Sequence, residues 1–266
     1  MKEKILQTDK GSIFYWQSEH WDASADTLFF LHGLTADHSM FAAQIAALEE
    51  EYNILVWDAP AHGKSRPFAA FGFDDVSEYI RAVLDDRAAA KAVLIGQSLG
   101  GYFSQSFLKR YPDRVKAFVS IDSTPYGHGY YSKADLWILR RVERMARLYP
   151  FCLMKRAIAK QVSATQAAYD NMMRMLAPYE KRELCHLMGL GYAGFLEDNC
   201  DLEIPCPTLL LLGEKDRTGK VASYNRAWAQ QTGYLLEIIP GASHNANVDK
   251  PQEVNACIRR FLLTAL

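Results

Sequence analysis

Ser98 occupies the centre of Gly96-Gln97-Ser98-Leu99-Gly100, directly after the apolar run Ala92-Val93-Leu94-Ile95 and just before a helix-compatible stretch, residues 102–110. A serine on so sharp a strand-to-helix turn is lifted clear of the backbone, and its hydroxyl projects outward. The glycines two residues before and after supply the small volume that such a turn needs. The free N–H groups at the start of the following helix suit a developing oxyanion. A serine hydroxyl is a poor nucleophile at neutral pH. It needs a base, a group that orients the base, and oxyanion donors. His244, in Gly241-Ala242-Ser243-His244-Asn245 after the last predicted strand, is the candidate base. Two acids end predicted strands: Asp216 in Gly213-Glu214-Lys215-Asp216, and Asp122 after residues 115–121. Asp216 is preferred as the orienting group, and Asp122 has the alternative role of capping the start of an inserted segment. The oxyanion donors are expected to be the backbone N–H groups of Leu99 and of Leu34, in Leu31-His32-Gly33-Leu34. His32 is assigned to holding that loop.

These groups must be gathered by the elements between them. Residues 5–7 and 13–16 flank Asp9-Lys10-Gly11 as a hairpin. Apolar runs at 27–31, 52–57, 92–95 and 115–121 then alternate with helical spacing at 41–48, 76–84 and 102–109. Such alternation predicts an α/β fold with a mostly parallel, doubly wound sheet covered on both faces. In open sheets of this kind ligand sites form at the carboxyl ends of the strands. After Asp122 the rhythm changes. Residues 136–148, 152–160, 165–176 and 181–187 have helical character and no strands interrupt them. Strand and helix alternate again at 208–212, 221–231 and 235–239, and a last helix is expected at 252–263. The predicted organisation is therefore a core of residues 1–124 and 202–266, with a helical cap, residues 125–201, after the sixth core strand. The cap holds six of the eight methionines, seven of the fourteen tyrosines and Trp137. Soft methionine fits irregular apolar shapes, so an adaptable apolar cover is expected, with Met172, Met173 and Met175 among its specificity positions.

The formal net charge of −1 on 266 residues gives no overall electrostatic case for nucleic acid or an anionic membrane. The start of the chain lacks the apolar core of a signal peptide, and no segment approaches the ~20 apolar residues of a membrane span. Five scattered cysteines, without Cys-x-x-Cys spacing, are expected to be reduced thiols in a cytoplasmic protein. No His, Cys or carboxylate grouping has the spacing of a metal site, and no cofactor is expected.

Several motifs now occur in one order: His32-Gly33 after a strand, Asp58-x-x-x-His62-Gly63-x-Ser65, Gly96-x-Ser98-x-Gly100, Gly213-x-x-Asp216 and Gly241-x-x-His244. Over nearly its whole length the chain resembles the capped serine hydrolases of the α/β-hydrolase fold superfamily, whose catalytic order is Ser-Asp-His. Ala61 departs from the glycine that many relatives carry before the His-Gly pair. The resemblance implies catalytic Ser98, Asp216 and His244, oxyanion donors Leu34 and Leu99, no cofactor, and a small-molecule substrate. The leading expectation is hydrolysis of a small, largely apolar carboxylic ester or thioester through an acyl-enzyme. The same triad serves carbon–carbon bond hydrolases, lyases and perhydrolases in similar proteins, and some capped relatives are ligand receptors.

Overall fold

The computed structural model describes residues 1–266. Strands β1 (Lys2–Gln7) and β2 (Ser12–Gln17) form the expected antiparallel hairpin. They are followed by β3 (Thr27–Leu31), β4 (Asn53–Trp57), β5 (Ala92–Gln97), β6 (Val115–Ile121), β7 (Thr208–Gly213) and β8 (Leu235–Ile239). The sheet order is β1-β2-β4-β3-β5-β6-β7-β8, and every pairing from β4 to β8 is parallel. All residues of β3, β4, β5 and β7 are buried. Successive side chains in a strand point to opposite faces, so both faces of this sheet are covered. That is why these strands have continuous apolar runs and no alternation.

The covering helices of the core are α1 (Ala42–Leu48), α2 (Phe73–Asp86) and α3 (Leu99–Arg110). Five more lie between β6 and β7: α4 (Lys133–Leu139), α5 (Val142–Leu148), α6 (Phe151–Val162), α7 (Gln166–Leu176) and α8 (Lys181–Asp198). The chain closes with α9 (Val221–Thr232), α10 (Ala246–Asp249) and α11 (Pro251–Ala265). No helix is long and apolar enough to cross a membrane. The helix expected at 136–148 is two helices. The turn at Arg140 and Arg141 lets α4 pack Leu136 and Leu139 on the core, while α5 turns Val142 and Ala146 toward a cavity. The helix expected at 181–187 runs on to Asp198. Gly189, Gly191 and Gly194 weaken its helical signal, but a Cβ on Gly194 would sit 2.4 Å from the Phe73 ring, so close packing requires the gap.

Polar contacts tie the inserted helices to the core. Asp249 accepts from the Ala164, Thr165 and Ser243 N–H groups, which joins the α6–α7 turn to the loop after β8. At the end of α8 the buried Asp198 carboxylate accepts from Lys109 Nζ (2.9 Å), an Arg110 guanidinium N–H (2.7 Å) and Tyr126 O–H (2.9 Å). Burial opposes its charge, but the Arg110 and Lys109 hydrogen bonds outweigh it and hold the carboxyl below the usual Asp range. Such a group contributes stability that is fully present above its unfolded pKa and is lost as pH falls through its lower folded pKa. Asp198→Ala is therefore expected to cost about 2–3 kcal/mol at neutral pH. The gap from wild type in urea denaturation should narrow below about pH 4. A pH-independent gap would show that the carboxylate's charge is not what holds α8.

Candidate active site

Strand β5 delivers Ser98 at the carboxyl edge of the sheet, and α3 begins at the next residue. Ser98 has φ +50°, a strained conformation for a residue with a side chain. Its N–H donates to the Ile121 carbonyl (2.9 Å) and its carbonyl accepts from Ser123 Oγ (2.7 Å), so both sides of the turn are tied to β6 and the loop beyond it. A Cβ on Gly100 would stand 1.8 Å from the Leu31 carbonyl oxygen. Only glycine lets the first turn of α3 cross the end of β3.

Three residues from three strand ends meet here. The Oγ of Ser98 is 2.9 Å from His244 Nε2, and His244 Nδ1 is 2.8 Å from Asp216 Oδ2. The second Asp216 oxygen accepts from Thr218 N–H (2.8 Å). Its side chain has no solvent exposure and that of His244 has 7 %. The carboxylate favours the tautomer with the proton on Nδ1, which leaves Nε2 free to accept from the serine hydroxyl. Gln97 Nε2 donates to the His244 carbonyl (2.9 Å) and holds the histidine loop against β5.

Asp122 is also at a strand end but makes no bond to His244. Its two oxygens accept from Gly213 N–H (2.7 Å) and Ala246 N–H (3.1 Å). It clamps the ends of β7 and the α10 loop together. It does not cap the start of the insertion, the alternative considered from sequence, because both donors lie on later segments. Burial, and then the charge of Asp216, push its carboxyl well above the usual range.

Leu34 N–H has no acceptor within the protein. Leu99 N–H opens α3, ahead of the helix's first hydrogen bond. Both are available to a ligand. His32 donates from Nδ1 to the Gly33 carbonyl (2.8 Å) and accepts at Nε2 from Ala59 N–H (3.0 Å). Burial lowers its pKa, so a neutral ring bridges the loops after β3 and β4. His62 is likewise buried, with its pKa lowered to about 3 by desolvation. Ala61 has φ +62°, which explains why glycine suits that position. The ligand-type atoms of Asp37, His38 and Asp58 lie within 4.8 Å of one another. Asp58 already accepts from the His38 and Lys64 N–H groups and pairs with the His38 ring, an arrangement that fixes the loop after β4.

Ser98 and His244 open on a cavity of about 530 Å³ between the strand ends and the inserted helices. Its walls include Val142, Met145, Met154, Ile158 and Met172, and no Lys, Arg, Asp or Glu lines it. Of the three methionines singled out from sequence, only Met172 lines it. Met173 does not, and the Met175 sulfur accepts from Asp37 N–H. A second pocket, about 50 Å³, adjoins the same Ser98–His244 pair and is lined by Tyr102, Ser123, Thr124 and Thr218 among others. Tyr192 borders both spaces, and its hydroxyl has no hydrogen-bond partner in the protein. Tyr192 is not among the site residues expected from the sequence. Its only signal is its place beside Gly191 in a helix whose glycines allow close packing.

A mostly parallel eight-stranded sheet with a serine at its central turn is the architecture of α/β hydrolases. Residues 28–256 match the sequence model of the Alpha/beta hydrolase family, and the chain belongs to that family. It is 31 % identical over 256 residues to a 2-(acetamidomethylene)succinate hydrolase of Mesorhizobium japonicum, covering 90 % of this chain and 88 % of the relative. It is 27 % identical over 258 residues to a carboxylesterase of Bacillus subtilis, covering 90 % and 80 %. A thermophilic esterase from Thermogutta terrifontis has the same fold, with TM-score 0.79 at 19 % identity, over 100 % of this chain and 99 % of the other.

Proposed function

We propose that this protein is a cofactor-free serine hydrolase that cleaves a small, uncharged, largely apolar carboxylic ester or thioester. The observation that carries this reading is the Asp216–His244–Ser98 hydrogen-bonded chain opening on an apolar cavity. Ser98 Oγ attacks the acyl carbon while His244 Nε2 takes its proton. The Leu34 and Leu99 N–H groups hold the oxyanion. His244 returns the proton to the leaving alcohol or thiol, and water repeats the sequence to release the acid. Asp216 fixes the tautomer and stabilises the imidazolium. Residues 125–201 act as a cap that selects substrate over a core of residues 1–124 and 202–266.

The Mesorhizobium relative, by its name, hydrolyses a substituted succinate. A buried carboxylate needs a partner, since an unpaired ion costs several kcal/mol. No Lys or Arg lines this cavity, and the one histidine there, His244, is committed to Ser98 and Asp216, so we infer an uncharged substrate here. Neutral p-nitrophenyl esters are expected to exceed the matching hemisuccinate ester in kcat/KM by on the order of 100-fold or more. Equal turnover, or a preference for the carboxylate, would refute this assignment of substrate class. A protein stabilised by such esters but turning none over would be a receptor and not an enzyme.

The two unequal compartments also set a size rule. The smaller one holds a few heavy atoms, so one side of the ester should tolerate only a short group while the other extends. In a panel varying acyl and alcohol length separately, activity should fall about tenfold or more along one axis only. Tyr192→Ala joins the two spaces and should flatten that fall. An unchanged ranking in this variant would remove Tyr192 as the dividing wall.

A further inference from the structure

The exposed side of the inserted helices has an unusual surface. Trp137 and Ile138 on α4, Met145 and Leu148 on α5, and Tyr149 and Leu153 just beyond are all large, apolar and exposed. They make up most of the large exposed apolar side chains of the chain, and Leu148 is 86 % exposed. By spacing, Met145, Leu148 and Tyr149 share one side of the α5 turn. Scattered exposed apolar residues are ordinary, but a concentration of this kind marks an interaction surface.

The charge around them is equally uneven. Residues 133–160 contain eight Lys and Arg against only Asp135 and Glu143, a net of +6, although the whole chain has −1. Both acids are already engaged: Asp135 pairs with Lys220 (2.7 Å), and Glu143 with Arg147. Arg140, Arg144, Arg156 and Lys160 are exposed and none of them pairs with a carboxylate. Arg141 lies over the Trp137 ring at 4.0 Å, so an apolar and a cationic group are presented together. The same surface reaches the active-site cavity, because Met145 and Tyr149 also line it.

We propose that α4, α5 and α6 form a docking face for an anionic phospholipid surface. Protruding bulky apolar side chains enter the interfacial region, and unpaired cations around them meet lipid phosphates. Tyr and Trp suit the boundary between headgroup and hydrocarbon. A bilayer adapts to protruding side chains, whereas an acidic protein would need a matching groove for each. This docking would place the mouth of the cavity at the lipid, so that an apolar ester passes from bilayer to Ser98 without crossing water. The docking goes beyond the ester-hydrolase reading and does not depend on it.

Flotation with vesicles tests it. Protein carrying Ser98→Ala, and the wild type, should both bind vesicles containing about 30 % phosphatidylglycerol, and bind phosphatidylcholine vesicles far less. Binding should weaken as salt rises. The pairs Arg140→Glu with Arg144→Glu, and Trp137→Ser with Leu148→Ser, should each weaken binding by on the order of tenfold or more. None of these four side chains lines the cavity, so turnover of a water-soluble short ester should stay at the wild-type level and report an intact fold. Equal binding to neutral and anionic vesicles, binding unaffected by both variant pairs, or no vesicle binding at all would overturn the proposal. Salt-sensitive association with an acidic soluble protein but not with vesicles would also overturn it, and would reassign the face to a protein partner. Because Ser98→Ala protein is used, loss of ester turnover leaves the docking result readable.

Discussion

Ser98→Ala is expected to abolish labelling by a fluorophosphonate probe and to lower ester turnover by on the order of 10⁴-fold or more. The wild type should be labelled once. Ser98 is held at φ +50° between β5 and α3, with its hydroxyl 2.9 Å from His244 Nε2. The Ser98 N–H and carbonyl contacts are made by backbone atoms and persist in alanine. The melting temperature should therefore stay near that of the wild type, and loss of activity should not reflect unfolding. Residual turnover above the uncatalysed rate is expected, since the Leu34 and Leu99 donors and the cavity remain. Labelling that persists in Ser98→Ala would place the nucleophile elsewhere and remove the basis of the mechanism.

What the sequence made legible followed from steric necessity. The glycines around Ser98 mark a turn where α3 crosses β3, and continuous apolar runs mark strands covered on both faces. The chain order of Ser98, Asp216 and His244 placed three groups at strand ends, and the geometry brings those three together. Local signals failed where packing overrode propensity. Gly189, Gly191 and Gly194 concealed the second half of α8, although those gaps allow its close approach to Glu143, to Leu34 and Leu99, and to Phe73. Tyr192 was invisible because nothing in its own segment reveals that it borders two cavities. Met173 and Met175 could not be separated from Met172, because which of adjacent helical positions faces a cavity depends on tertiary packing. Net charge is an average over the chain. A balance of −1 conceals a +6 stretch offset by acids elsewhere.

The second large effect separates two acids that the sequence placed alike. Asp216→Asn is expected to keep the fold and to lose on the order of 10⁴ in turnover. In the native site one Asp216 oxygen accepts from Thr218 N–H and the other faces His244 Nδ1. The single carbonyl oxygen of asparagine will satisfy the backbone N–H, which turns its NH₂ toward Nδ1. The imidazole must then accept at Nδ1 and carry its proton on Nε2, pointing at Ser98, so it can no longer act as the base. Asp122→Ala should do the opposite. It leaves the buried Gly213 and Ala246 N–H groups without their acceptor, at about 1–3 kcal/mol for each unsatisfied group. A lowered melting temperature should accompany continued probe labelling of the folded protein at Ser98. An inactive but stable Asp122→Ala beside an active Asp216→Asn would show that the orienting carboxylate comes from β6 and not from the loop after β7.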